Sequence, residues 1–326
     1  LIIHLEALGA VLRATVVLTA IKRKWPKAHI TWMTSPLASA ILENNTHINR
    51  LFKNDHAGVL SLSALSFDYA FCIDKSLLAG GLLHVPRSVT EFRGFGVDSK
   101  SGAIVPLNAE AQYLFDLGLS DHEKFFVNKK PETQLIIESL GLTFQNDEYI
   151  FEFSPEEKKA LPSKKGFTIG LNTGCSSTIP YKKFSVRGWI DLIDILEKDF
   201  PKAEIYLLGG PEDTDRNSEI SKMRPSVIST PTTEGLRAGF KYLNLCDVVV
   251  TGDSLGMHMA IALKKWVVAW FGPTCHHEID LYGRGEAVLT SASCSPCWKR
   301  SCDKTLMCYD QVDWSQVTLQ IRKSEK

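Results

Sequence analysis

Apolar positions in the first half of the chain switch repeatedly between two spacings. Residues 1–5 are a short strand-forming run, and residues 6–10 (Glu6, Ala7, Leu8, Gly9, Ala10) form the turn after it. Val11, Ala14, Leu18, Ile21 and Trp25 then recur every three or four positions, as on one face of a helix that Pro26 stops. The same reading predicts strands over 29–33, 48–52 and 68–73 and a helix over 36–43. Between residues 82 and 108 the pattern breaks at Pro86, Gly94, Gly96, Gly102 and Pro106, which predicts irregular or β-ribbon structure capping the first sheet. Helical spacing returns over 109–117 and 133–140.

Ser154-Pro155-Glu156-Glu157 has the chemistry of a helix start, and residues 161–166 read as a linker. The alternation then restarts, with a strand over 167–172, a helix over 186–200, a strand over 204–208 and a helix over 213–223. Trp189, Leu192, Ile193, Leu196 and Phe200 give the 186–200 helix one apolar face, suited to packing on a sheet. Residues 245–274 are a complete strand–turn–helix–strand unit. The β-branched run 247–251 ends at Gly252-Asp253-Ser254, a helical stretch carries Met259 and Leu263, and a buried strand spans 266–271. A last core strand is expected near 287–289, followed by a surface helix over 313–323 that could return to the first half. Strands alternating with helices at this spacing build parallel sheets, so two α/β domains are predicted, 1–160 and 161–326.

Parallel sheets carry ligands at the carboxyl ends of their strands. In the second half three such ends open into turns of small and polar residues: 172–177 with Lys182 just beyond, 209–213, and 252–258. A helix starting in the last turn presents unpaired N–H groups, with the positive end of the peptide dipoles behind them. Phosphate oxygens satisfy those donors, and small side chains let the ligand approach. With a lysine for charge and Glu212 for ribose hydroxyls, the three turns suit a nucleotide diphosphate. Taken singly, each residue has a plainer role: Lys182 as a solvated charge, Glu212 as a helix-start carboxylate, Ser254 as an N-cap, His258 as a core residue. No GxGxxG fingerprint or GxxxxGK[ST] loop is present, which counts against dehydrogenase and P-loop chemistry.

Composition narrows the classes. The 326 residues exceed what one core usually organises; 44% are hydrophobic and 23% charged, as in soluble globular proteins. A formal net charge of zero, with no long basic block, argues against nucleic acid as a partner. No apolar run has the length of a membrane span. The isolated Cys72, Cys175, Cys246 and Cys275 fall in predicted core segments and read as reduced thiols, the usage expected in the cytoplasm. The other four cysteines form a Cys294-x2-Cys297-x4-Cys302-x5-Cys308 cluster within a segment 294–308. Four thiols at that spacing suit a closed structural zinc site, two disulfides, or free thiols.

LEALGAVLRAT with the following Lys22-Arg23-Lys24-Trp25-Pro26, LNTGCSS…KKF, LLGGPED, GDSLGMHMAIAL and FGPT occur in this order. On these segments the chain resembles the heptosyltransferases of glycosyltransferase family 9. The resemblance implies the GT-B fold, two Rossmann-like domains with parallel sheets facing across a cleft. It implies inverting transfer of a heptose-like sugar from ADP-heptose, held by the second domain, to a lipid-linked inner-core lipopolysaccharide acceptor, held by the first. Thr173, Gly174, Ser176, Ser177 and Lys182 would contact the diphosphate and Glu212 the ribose. Asp253 would lie against the sugar, and the N–H groups of Ser254, Leu255 and Gly256 on the phosphates, with His258 beside them. A lysine and a helix terminus stabilise the leaving group, so no metal cofactor is required for catalysis. Such an enzyme works in the cytoplasm, with peripheral contact to the inner membrane. Members usually have an aspartate after the first-turn glycine, thought to be the base, whereas here Gly9 is followed by Ala10. Glu6 is the carboxylate nearest that gap in sequence. Three readings follow: Glu6 substitutes as the base, the sugar or acceptor differs, or the chain binds nucleotide sugar without turning it over.

Overall fold

A computed structural model describes residues 1–325, which divide into two compact units. Unit 1 comprises Leu1–Ser154 together with His277–Asp280; unit 2 comprises Pro155–His276 and the chain from Leu281 onward.

Unit 1 is organised on β1 (Ile2–Ile3), β2 (Thr31–Thr34), β3 (Arg50–Lys53), β4 (Ser66–Cys72), β5 (Ser88–Val97) and β6 (Ile104–Pro106), in the spatial order β3-β2-β1-β4-β5-β6. All neighbours are parallel except β5 and β6. The helix expected after β1 is present but divided into Leu8–Ala14 and Val16–Lys24. At the break the Thr15 hydroxyl donates to the Leu12 carbonyl at 2.6 Å and accepts from Ile150 N at 2.8 Å. A buried hydroxyl competing for backbone groups bends a helix in this way.

The segment 82–108 does not cap the sheet. Ten of its residues are β5, a full member of the sheet alongside β4. Gly94 accounts for the misreading. Its φ is +91°, and a Cβ there would stand 2.1 Å from the Cys72 carbonyl oxygen, so the glycine marks a close approach between paired strands. Two helices lack a clear apolar stripe in the sequence, His56–Ser63 and Leu77–Leu82. Asp55 and Ser76 cap them, but Leu60, Leu77 and Leu78 lie exposed and blur the apolar face.

Unit 2 contains β7 (Thr168–Asn172), β8 (Glu204–Leu208), β9 (Ile228–Ser229), β10 (Val248–Gly252), β11 (Trp266–Phe271) and β12 (Gly285–Leu289), ordered β12-β11-β10-β7-β8-β9 with every neighbour parallel. β7 and β10 are buried along their whole length, as central strands of a parallel sheet covered on both faces are. In both units the first and fourth strands are adjacent and later connections run outward on either side. That is the doubly wound arrangement, with its ligand crevice where the strand order reverses. The last helix, Trp314–Lys323, does not return to unit 1. Val317 and Ile321, one turn apart and fully buried, join the unit 2 core, and Trp266 Nε1 donates to the Gln320 carbonyl at 3.0 Å.

Candidate functional site

The register of unit 2 brings the three polar turns side by side. Asn172, the last residue of β7, is paired with Leu208 of β8 on one side and Thr251 of β10 on the other. The chain therefore leaves three adjacent strands at one level, at residues 173, 209 and 253.

Asn172 ties the turns together. Its side-chain amide donates to the Gly174 carbonyl at 3.2 Å, Thr251 Oγ1 at 3.0 Å and Ser254 Oγ at 2.9 Å. Gly256 is required by this knot, because a Cβ there would fall 2.4 Å from the Asn172 side chain. Asp213 accepts from Gly210 N at 3.0 Å and from Arg216 Nη1 at 2.9 Å. It also fills the space where a side chain at Gly174 would lie, only 1.9 Å from a built Cβ.

Lys182 arrives from the loop after β7 and is held by its neighbours. Phe184 is buried, stacks on Trp270 at 4.6 Å between ring centres, and meets Trp189 and Trp314 edge-on at 4.9 and 4.8 Å. That cluster fixes the backbone two residues away, so the ammonium of Lys182 lies 3.7 Å from Asp253 Oδ2 with both side chains largely buried. Burial pushes the Cys175 thiol up, while Lys183, Lys182 and Arg216 pull it down; three cations thus bear on the same turn.

The residues expected to contact a donor do not all have free functional groups. Thr173 is fully buried, and its hydroxyl donates to Asn217 Oδ1 at 2.5 Å and the Leu208 carbonyl at 3.3 Å. Ser254 is buried, with its Oγ accepting from Asn172. Ser176, Ser177 and Glu212 are exposed around the turns. Leu255–Ala262 is the helix that starts over them; within it Gly256 and His258 are buried and Leu255 is half-buried. Asn172 and Asp213, which lie in the expected turns but were given no role of their own, shape the site together with Arg216 and Asn217, which lie outside those turns. Only Asp213 and Arg216 had a usable signal, their i,i+3 spacing on a helix start.

In unit 1, Glu6 is exposed on the turn after β1, and Ala10 lies half-buried in the first turn of Leu8–Ala14. Cys294, Cys297, Cys302 and Cys308 line one small cavity in unit 2 with Gly272, Pro273 and Tyr181. All four are free thiols, and Cys308 is pushed up to about 11, first by burial and then by the other three. Among the described residues no group of three or more His, Cys, Asp or Glu side chains is arranged to hold a metal ion. The segment also abuts the lysine loop, since Cys302 N donates to the Tyr181 hydroxyl at 3.1 Å.

Known proteins share this layout. Lipopolysaccharide heptosyltransferase 1 of Campylobacter coli is 24% identical over 294 residues, covering 84% of this chain and 83% of the relative. A family 9 glycosyl transferase from Veillonella parvula superposes with a TM-score of 0.70 at 17% identity, over 99% of this chain and 95% of the other. Heptosyltransferase WaaC of E. coli, solved with ADP, also gives 0.70 at 17% identity, over 99% and 98%. The sequence profile of glycosyltransferase family 9 (heptosyltransferase) matches residues 124–307, a span that takes in all three polar turns, Lys182 and three of the four clustered cysteines with the fourth just beyond it. With more than half of its length matched, and with a GT-B pair of parallel-sheet units beneath the match, this chain belongs to glycosyltransferase family 9 and is a glycosyltransferase.

Proposed function

We propose that the chain transfers a heptose-like sugar, with inversion, from ADP-heptose bound to unit 2 onto an inner-core lipopolysaccharide acceptor bound to unit 1. The observation that carries this reading is the set of three adjacent strand ends with Lys182 beside them and a helix start above. Backbone N–H groups of 254–256 and the Lys182 ammonium are donors for the diphosphate, and the exposed Glu212 is an acceptor for ribose hydroxyls. Ser176 and Ser177 offer hydroxyls at the rim, while Thr173 and Gly174 shape the turn. Asp253, 3.7 Å from Lys182, would lie against the sugar, with His258 beside the phosphates. The ADP in E. coli WaaC and the activity named for the C. coli relative favour this donor and acceptor.

In the reaction the acceptor oxygen forms its bond to the anomeric carbon as the bond from that carbon to the diphosphate breaks. The electron pair leaves with ADP, where Lys182 and the helix start stabilise the new charge without a metal cofactor. The acceptor proton goes to a carboxylate of unit 1, because Ala10 cannot take it; Glu6 is the one suggested by sequence. On this reading the enzyme works on the cytoplasmic side of the inner membrane, in peripheral contact with its lipid-linked acceptor. Among the described residues no helix is long and apolar enough to cross a membrane. The cysteine segment is proposed to be structural, fixed by zinc or disulfides and supporting the lysine loop.

Release of ADP from ADP-heptose, dependent on a deacylated inner-core acceptor, tests the reading. Ala10 favours a second one, transfer to a different acceptor or binding without transfer. Tight ADP-heptose binding with no acceptor-dependent ADP release would select it.

A further inference from the structure

Unit 1 contains a cluster of charged groups that the reading above leaves unused. Lys75, Lys124, Asn128, Glu132 and Glu278 line one small cleft together with the buried Leu135. They come from three places in the chain. Lys75 follows the carboxyl end of β4, so the cleft lies on the ligand-bearing edge of the sheet. Lys124 belongs to the turn Glu123–Val127, and Glu132 opens the helix Glu132–Ser139. Glu278 is brought in by the short segment His277–Asp280. Lys124 Nζ stands 3.0 Å from Glu278 Oε1, and Arg13 Nη2 stands 2.7 Å from Glu132 Oε2. Arg13 lies three residues beyond Ala10, one turn along the same helix, so its guanidinium links Glu132 to the helix that carries the position lacking a carboxylate.

We infer that Glu278, paired with Glu132 across this cleft, is the base that takes the acceptor's proton. The inference rests on the transfer reading and identifies the group it lacked. The hydroxyl proton passes to a Glu278 carboxylate oxygen as the acceptor oxygen bonds to the anomeric carbon, and water later removes it. Glu6 lies exposed on the turn after β1 and lines no part of this cleft. Glu278 is only 8% exposed and is pushed up to about 7, first by burial and then by Glu132, against the opposing pull of Lys124 and Arg13. A carboxylate kept only for an ion pair is normally stabilised in its charged form by its lysine; here burial and the second carboxylate outweigh the cations. On the same segment, His277 lies 2.9 Å from Lys129, and burial with Lys129 holds it below its ordinary value; Asp280 is the segment's other ionisable group.

The test is the pH dependence of kcat/KM for acceptor-dependent ADP release in the intact chain, its Glu278→Gln variant and its Glu132→Gln variant, with thermal unfolding reporting that each is folded. The wild type should gain activity with pH through an inflection near 7. Glu278→Gln should lose activity by about 100-fold or more and lose the inflection. Glu132→Gln should keep an inflection at lower pH, because the like charge that raises Glu278 is gone. Glu278→Gln turning over within about threefold of wild type, or an inflection unmoved in Glu132→Gln, overturns the inference while leaving the transfer reading intact. A wild-type chain that releases no ADP with the acceptor refutes the transfer reading, and this inference with it.

Discussion

Gly252 packs directly against the backbone of Lys182: a Cβ built on the glycine would lie 1.8 Å from the Lys182 carbonyl oxygen and 3.0 Å from its carbonyl carbon. The end of β10 and the lysine loop are therefore in contact through main chain, where no flexible side chain can yield. Gly252→Ala should displace the loop and with it the ammonium. We expect a stability loss of about 1–3 kcal/mol together with weakened ADP binding. Thermal unfolding and calorimetry with ADP check the two effects separately, and unchanged ADP affinity would detach the loop from the site.

Removing the charge alone is a milder change to the fold. Lys182→Ala should weaken ADP binding by about 1.5–3 kcal/mol, the usual cost of losing a charge-assisted contact. Stability should fall as well, because the substitution removes the ion pair that Lys182 makes at 3.7 Å with the largely buried Asp253, so calorimetry is done at a temperature where both proteins are folded. Calorimetry with ADP decides it; equal affinity in the two proteins removes Lys182 from the diphosphate site.

Glu278 also predicts how stability varies with pH. Its carboxyl lies near 7 in the folded chain against an ordinary 4.5, so between those values the folded state holds a proton that the unfolded state has released. Stability therefore falls as pH rises through this window, by on the order of 3 kcal/mol for this group, and the loss is complete above it. Glu278→Gln should flatten that slope and be relatively more stable at pH 8 than at pH 5. Denaturant unfolding of both proteins at the two pH values measures it, and parallel slopes would contradict the assignment.

The cysteine segment should matter to folding before it matters to ligand. Cys297 N and Trp298 N both donate to the Pro273 carbonyl, at 3.1 and 2.8 Å, so the segment is fastened to the loop after β11. Replacing Cys297 by Ser should lower the unfolding temperature while ADP affinity stays close to wild type. Elemental analysis of protein purified without chelator, with a thiol titration, reads the chemistry. Less than about a tenth of an equivalent of zinc or iron, with four titratable thiols, would leave a cysteine-rich loop with neither metal nor disulfide.

Much of this protein follows from local pattern. The β-branched run at the end of β10, the strand Trp266–Phe271 and the one-sided apolar helix Val186–Asp199 are legible because backbone geometry fixes a period of two or of 3.6, and burial then selects which positions are apolar. The small-residue turns at the ends of β7, β8 and β10 are legible for a related reason: only such residues let backbone donors reach a ligand. Contacts between distant segments were decided elsewhere. Gly94 reads as a break until Cys72 is seen beside it, and Val317 and Ile321 carry no sign of which core they enter. Asn172 gains its role only when parallel register sets it against Thr251 and Ser254, 79 and 82 residues away. Glu278 lies 146 positions from Glu132 in the chain, and no spacing rule joins them. Their meeting, and the rise in proton affinity that follows, comes from burial and charge that exist only once the chain has folded.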